Sequence, residues 1–235
     1  MTYADPRMDT PMPRLLQPAG WRDIPITPVD EPLVPVADLA PRVLEDPRYF
    51  AMGLPGALPG CWLREGLAER LVRAADSLPG DLVLLVWDGW RSIDTQSALF
   101  EAYVEDLAAQ YPHMERPELE QVARPYVTPP DPGHHAPPPH LTGGAVDLTL
   151  ARADGTELDL GTGFDAFVPE AGAAALEDID LPARSHRRLL FHALTAQGLT
   201  AYVEEWWPFD FGDQFWAAVT GGAPRYGPAG APTGA

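Results

Sequence analysis

The stretch Leu82-Val-Leu-Leu-Val-Trp87, continued by Asp88-Gly-Trp-Arg91, combines a buried strand with the start of a helix. Six consecutive apolar residues are typical of a strand that is covered on both faces. From Asp94 to Gln110 the apolar residues recur at helical spacing, which predicts a helix directly after the strand. Arg91 therefore lies at a strand-to-helix junction, where its guanidinium can reach into a cleft.

Further helices and strands are predicted on both sides of this unit by the spacing of apolar residues. The predicted helices cover Leu67–Leu78, His186–Gln197 with Ser185 as N-cap, and Asp213–Val219. Within the Pro-rich stretch over residues 112–139, only Glu118–Arg124 could be helical. The predicted strands cover Leu33–Val36, Ala145–Leu150 and Leu199–Glu205. Together they predict an α+β fold, in which a small, mostly antiparallel sheet packs against helices in a single domain.

The composition suits one domain with irregular connections. The chain has 235 residues, of which 46% are hydrophobic, and this is enough for one sizeable core. Its 28 prolines and 21 glycines predict long loops. We expect an extended Pro-rich arm over residues 1–45, the main domain over 46–220, and a flexible Gly/Pro/Ala tail over 221–235.

Charge and cysteine content exclude several classes of function. A net charge of -18 disfavours binding to nucleic acid or to anionic membrane surfaces. Cys61 is the only cysteine, so the chain cannot form an internal disulfide. The longest apolar run, Leu82–Trp87, is far shorter than the ~20 residues of a membrane helix. The N-terminus lacks the apolar segment of a secretion signal, so a cytoplasmic location is expected.

The segment His140-Leu-Thr-Gly-Gly-Ala-Val-Asp147 carries two side chains that bind metals. Zinc accepts imidazole nitrogen and carboxylate oxygen at about 2.0–2.2 Å. The two glycines allow the turn to bring His140 back beside Asp147 on the strand. The residues alone leave open a second interpretation, in which Asp147 is an exposed side chain of an ordinary hairpin.

The segment Glu204-Glu-Trp-Trp-Pro-Phe-Asp210 places a carboxylate next to two tryptophans. Apolar surroundings disfavour the ionised form of Glu205, which moves its pKa towards that of a general base. The alternative is an aromatic core cluster with Glu205 at its edge. Arg91 can stabilise an oxyanion with its forked donors, or it can form a structural ion pair with Asp88 or Asp94.

The segments around Arg91, His140–Asp147 and Glu205, taken in this order, resemble the corresponding motifs of the VanX-type zinc D-Ala-D-Ala dipeptidases. The segments Leu160-Gly-Thr-Gly-Phe-Asp165 and Phe211-Gly-Asp-Gln214 extend the resemblance, which covers roughly residues 61–217. It implies a zinc-peptidase fold with one Zn²⁺ per chain. It further implies these roles: His140 and Asp147 as zinc ligands, Glu205 as general base, Arg91 as oxyanion stabiliser, and Asp165 as the binder of the substrate's amino group.

The sequence departs from the family pattern inside this site. The family motif reads Glu-x-x-His, and its histidine is the third zinc ligand; here the corresponding residue is Pro208. Proline has no side-chain donor, and a catalytic zinc site normally has three protein ligands. Pro138 also replaces a serine that is common in the family. The candidate substitutes for the missing ligand are His134, His135, His186 and His192.

The resemblance implies hydrolysis of a small D,D-dipeptide, D-alanyl-D-alanine, to two D-alanines by metal-activated water. A narrow pocket lined by Trp206, Trp207 and the Pro-rich loop over residues 112–139 would admit dipeptides and exclude longer chains. Because of Pro208, a catalytically inactive homologue that keeps the cleft for binding a ligand or partner is the main alternative. A peptidoglycan hydrolase of the same zinc-peptidase group is a further alternative, and it would require export.

Overall fold

The computed structural model describes residues 4–130 and 137–233. The strands of this part of the chain are β1 (Leu33–Pro35), β2 (Val43–Glu45), β3 (Trp62–Arg64), β4 (Leu82–Asp88), β5 (Ala145–Arg152), β6 (Thr200–Ala201) and β7 (Pro208–Asp210). Its helices are α1 (Arg48–Ala51), α2 (Glu65–Asp76), α3 (Ile93–Gln110), α4 (Arg116–Ala123), α5 (Pro182–Thr195) and α6 (Gln214–Thr220).

The central sheet contains five strands in the order β2-β4-β5-β7-β6. Strands β2 and β4 are parallel, and every other neighbouring pair is antiparallel. Strands β1 and β3 form a separate antiparallel pair. The predicted α+β class, with a small and mostly antiparallel sheet packed against helices, is confirmed.

The main core lies between the central sheet and helices α2 and α5. Leu84 and Leu148 from the sheet, Leu71 from α2 and Leu189 from α5 are fully buried in it. A second, smaller core around Phe100 joins α3 to α4. In the parts of the chain described here, no helix is long and apolar enough to cross a membrane.

Two predicted elements differ from the structure. Helix α5 begins at Pro182 rather than His186, so Ser185 lies inside the helix and Leu181 is the N-cap. Proline suits the first helical position because its φ is already helical and its missing N–H is not needed there. The strand predicted over Leu199–Glu205 is limited to the two residues of β6.

The two ends of the chain pack against the domain over parts of their length. Met8 joins the main core from the N-terminal arm. Tyr226 is fully buried, and the N–H of Ala229 donates to the carbonyl oxygen of Leu141. This part of the predicted flexible tail is therefore attached to the domain, while the domain bounds themselves stay a prediction.

Three residues form a row across the centre of the sheet. Trp87 is an extra residue in β4, so Asp88 rather than Trp87 stands opposite Asp147 of β5. On the other side of β5, Pro208 of β7 also stands opposite Asp147. Directly opposed residues of antiparallel strands present their side chains to the same face. Asp88, Asp147 and Pro208 therefore lie side by side.

Candidate active site

A cavity of about 330 Å³ opens beside this row. Five of its lining residues are the ones that the sequence singles out: Arg91, His140, Asp147, Asp165 and Glu205. Pro208 lines the same cavity. The structure thus brings all the predicted site residues together, and their individual roles stay predictions.

The ring of His140 is oriented by the backbone that follows β4. His140 lies in a short 3-10 turn, Pro139–Thr142, just before β5. Its Nδ1 is 2.8 Å from the carbonyl oxygen of Gly89, an acceptor, so Nδ1 carries the hydrogen. In the neutral ring the lone pair is then on Nε2, which lies 3.4 Å from Oδ1 of Asp147.

This geometry fits a divalent metal ion. Two donor atoms at about 2.0–2.1 Å from a tetrahedral ion are separated by roughly 3.3–3.4 Å, which agrees with the distance from His140 to Asp147. Donation of the other ring nitrogen to a backbone carbonyl is typical of metal-binding histidines. One ligand atom each of Asp88, His140 and Asp147 lies within 4.8 Å of the others. The donor set is therefore one imidazole and two carboxylates, with no donor at Pro208.

The histidines of α5 do not approach this site. His186 contacts the carbonyl oxygen of Asp159, and His192 contacts that of Thr10. Neither residue lines the cavity, because α5 packs on the far side of the core against the turn at residues 6–9. His134 and His135 lie outside the described residues. Among the described residues, Asp88 is the side chain that could supply a third metal ligand beside His140 and Asp147.

Arg91 is held between two carboxylates. Its Nε donates to Oδ2 of Asp88 at 2.8 Å, and its Nη2 donates to Oδ2 of Asp147 at 2.9 Å. Nη1 donates to the side-chain oxygen of Gln96 at 3.0 Å. Burial by itself would lower the pKa of Arg91, but the neighbouring Tyr49 and the two aspartates raise it. The ion pair with Asp88 that the sequence left open is present, and Arg91 lines the cavity as well.

The acidic residues of the cavity differ in how readily they ionise. Burial would raise the pKa of Asp147, yet the charges and hydrogen bonds of His140 and Arg91 lower it, so Asp147 stays ionised. Burial, followed by the charges of Asp147 and Asp165, raises the pKa of Glu205 well above its ordinary value. A carboxyl with a raised pKa is suited to accept a proton near neutral pH.

Asp165 occupies a special backbone position. Its φ is 55°, a left-handed conformation that is uncommon for residues other than glycine. Its carboxylate accepts a hydrogen bond from the hydroxyl of Tyr49, with oxygen distances of 3.1 and 3.2 Å. Burial, with a smaller effect from the charge of Asp147, raises the pKa of Asp165 to about 7. The turn therefore aims a buried carboxyl into the cavity.

The two tryptophans after Glu205 have different positions. Trp207 lines the cavity, as expected. Trp206 does not line it, because its ring packs against Trp87 at 5.7 Å and its Nε1–H donates to the hydroxyl of Thr162. Only one of the two tryptophans therefore faces the site.

Sequence reasoning missed three polar residues in or beside the cavity. Asp88 is predicted only as an ion-pair partner of Arg91, and its position opposite Asp147 depends on the extra residue in β4. Tyr49 and Asp210 line the cavity. Tyr49 comes from the short helix α1, far from the motifs in sequence, and nothing in its local pattern pointed to the site.

Comparison with known proteins identifies the family. Residues 61–221 match the family described as D-ala-D-ala dipeptidase, and this match covers well over half of the 235 residues. The chain belongs to the D-Ala-D-Ala dipeptidase family.

Relatives of this D-Ala-D-Ala dipeptidase family member align along most of its length. It is 28% identical to the D-alanyl-D-alanine dipeptidase of Synechocystis over 218 residues, or 83% of this chain and 87% of that protein. It is 30% identical to the enzyme of the same name from Enterococcus faecium over 155 residues, or 63% and 72% of the two chains. A solved structure of a mutant of the vancomycin-resistance D,D-pentapeptidase VanY with Zn(II) is 17% identical, with a TM-score of 0.41 over 86% of this chain and 96% of that chain.

The raised pKa of Asp165 predicts how stability depends on pH. The folded chain binds the proton of Asp165 more tightly than the unfolded chain does. The resulting stabilisation of the folded chain is complete below about pH 4 and is lost as pH rises through about 7. Asp165→Asn keeps the shape and the left-handed backbone but cannot ionise. In urea unfolding of the metal-free proteins, the variant should gain stability relative to wild type between about pH 5 and 8.

Asp178 is exposed, so Asp178→Asn serves as the control. Its stability relative to wild type should not depend on pH in this way. A stability difference between wild type and Asp165→Asn that is constant across this pH range would contradict the assignment.

Proposed function

We propose that the chain is a zinc-dependent dipeptidase that hydrolyses D-alanyl-D-alanine to two D-alanines. The observation that supports this most directly is the meeting of Arg91, His140, Asp147 and Glu205 in one cavity. These residues come from three separate segments of the sequence, and each segment matches a motif of the family. The proposed substrate is a small D,D-dipeptide, in line with the names of the Synechocystis and Enterococcus relatives.

The proposed metal ligands are His140 through Nε2, Asp147 through Oδ1, and Asp88. Two of them are the positions implied by the family resemblance, and Asp88 takes the place of the histidine replaced by Pro208. A divalent ion held by these residues would polarise the scissile carbonyl and lower the pKa of a water molecule. A carboxylate in place of an imidazole makes the set of metal ligands harder and more negative. Mn²⁺ should therefore bind in addition to Zn²⁺.

Glu205 is the proposed general base. It faces the cavity, is 7% exposed, and has a pKa raised by burial and by nearby carboxylates. In this role its carboxylate takes a proton from the attacking water and passes it to the amine that leaves. Trp207, packed beside it at the cavity wall, keeps bulk water away from the proton transfer.

Arg91 and Asp165 are the proposed contacts to the substrate. Arg91 keeps a fixed guanidinium beside the metal ligands, where it can donate to the carbonyl oxygen as negative charge develops. Asp165 offers a carboxylate to the free amino group of the dipeptide. Because Tyr49 touches both residues, at 3.5 Å from Nη2 of Arg91, it sets the spacing between these two contacts.

One observation favours a second candidate function. Pro208 stands directly opposite Asp147, so the position from which the family's histidine would bind metal is filled by a side chain without a donor. The alternative is a homologue that binds D-Ala-D-Ala in the same cavity without hydrolysing it.

Turnover and metal content distinguish these two functions. Wild-type protein loaded with Zn²⁺ should release D-alanine from D-Ala-D-Ala and hold about one zinc per chain by elemental analysis. Glu205→Gln should keep the zinc but lose at least about 100-fold in kcat, since general base catalysis contributes about that much. Asp88→Asn should lower zinc affinity roughly 10-fold or more, whereas the exposed Asp178→Asn should not.

The inactive homologue would bind D-Ala-D-Ala and release no D-alanine under any metal condition. A protein that neither holds zinc nor binds the dipeptide would exclude both functions.

Restoring the family residue provides an independent test of the metal site. Pro208→His adds an imidazole opposite Asp147, on the face that carries His140 and Asp88. The variant should bind zinc at least about 10-fold more tightly than wild type, as measured by competition with a chelating dye. Proline at this position donates no hydrogen bond, so histidine removes none from the sheet. Unchanged affinity would mean that residue 208 does not face the metal.

A further inference from the structure

The cavity contains a second group of charged residues that the proposed reaction does not use. All sixteen basic residues of the chain other than histidine are arginines. Of those described, Arg22, Arg91 and Arg124 line the cavity. Arg91 is already bound by Asp88 and Asp147, so its charge is balanced.

Arg22 differs from Arg91 because no carboxylate neutralises it. It forms no ion pair with any residue in the described ranges, although the chain has 34 acidic residues and a net charge of -18. Its guanidinium lies 4.2 Å above the ring of Trp21, which fixes its position. Trp21 in turn packs edge-on against Phe215 at 5.8 Å. The arginine is therefore held rigidly by aromatic contacts while its donors stay available.

Arg124 brings a second positive charge to the same place. Both arginines line the same cavity. Burial lowers the pKa of Arg22, Tyr202 raises it, and the charge of Arg124 lowers it. The loop that carries Arg124 is fastened by the hydroxyl of Tyr202, which donates to the carbonyl oxygen of Pro125 at 2.7 Å. Two cations that face one cavity repel each other unless an anion lies between them.

The end of the cavity that holds His140 is rich in carboxyl groups, from Asp147, Asp165 and Glu205. Ionised carboxylates repel the carboxylate of a substrate. Tyr202 and Glu205 line the same cavity as the two arginines, and the hydroxyl of Tyr202 contacts Pro125, next to Arg124. An anion held at Arg22 therefore shares one cavity with a substrate whose peptide bond lies beside Glu205.

We infer that Arg22 and Arg124 form the subsite for the C-terminal carboxylate of the substrate. This inference rests on the proposed dipeptidase function. A D,D-dipeptide has an amino group at one end and a carboxylate at the other. Asp165 suits the first and the arginine pair suits the second, with the scissile bond between them. Arginine binds carboxylates through two parallel N–H donors, which also fixes the direction of the peptide.

The test compares two ligands that differ only in this charge. D-Ala-D-Ala and D-alanyl-D-alaninamide, whose C-terminal amide is neutral, are titrated calorimetrically into zinc-loaded protein that carries Glu205→Gln and is slow to hydrolyse them. Adding Arg22→Gln should weaken the binding of D-Ala-D-Ala by about 10- to 100-fold, the value of a charge-assisted hydrogen bond. Binding of the amide should not change, which also shows that the variant is folded.

Three further variants complete the experiment. Arg124→Gln should weaken the binding of D-Ala-D-Ala in the same selective way, and Arg22→Lys should retain part of the affinity because it keeps the charge. Arg14→Gln, an exposed arginine of the same N-terminal segment that does not line the cavity, should affect neither ligand.

The outcomes separate this inference from the proposed function. If the parent protein binds D-Ala-D-Ala and the amide equally well, and Arg22→Gln changes neither, the subsite is wrong while the dipeptidase function stands. If Arg22→Gln weakens both ligands equally, its role is structural and the subsite is again wrong. If the parent binds neither ligand, the proposed function fails and the subsite fails with it.

Discussion

The extra residue that Trp87 inserts into β4 is the feature on which the site depends. Without it, Trp87 would stand opposite Asp147, and Asp88 would point to the other face of the sheet, since side chains alternate along a strand. With it, Asp88 lies beside Asp147 on the same face of the sheet, and Trp87 is 2% exposed against Phe164 and Trp206. The same irregularity positions Arg91, whose guanidinium bridges the two aspartates.

The carboxyl groups of Asp88, Asp147, Asp165 and Glu205 lie close together, so cations must offset the repulsion between their ionised forms. Burial raises the pKa of Asp88, Asp165 and Glu205 because each is removed from water and lies near the others. Arg91 balances only part of this charge. A divalent ion beside His140 would balance more of it and would return Glu205 towards the ionised form that a base requires. The acidity of the site and its metal affinity are thus linked.

The sequence predicted the parts of the fold that local patterns encode. The apolar run at β4 and the helical spacing in α3 are strong local signals, and both elements appear with nearly the predicted bounds. The meeting of His140, Asp147 and Glu205 followed from the family resemblance. The position of Asp88 could not be predicted, because a β-bulge produces no recognisable periodic pattern of apolar residues in the sequence. Arg22 reaches the cavity through contacts between residues far apart in the chain, such as Trp21 with Phe215.

X-ray absorption spectroscopy at the zinc edge identifies the metal ligands, because it reports the atoms bound to the metal in the loaded wild-type protein. We expect one imidazole, from His140, with the remaining donors being oxygens at about 2.0–2.2 Å, as two carboxylates and water would give. A spectrum with two or more imidazoles would contradict this expectation, since the ligand that replaces the missing histidine would then be another histidine and not Asp88.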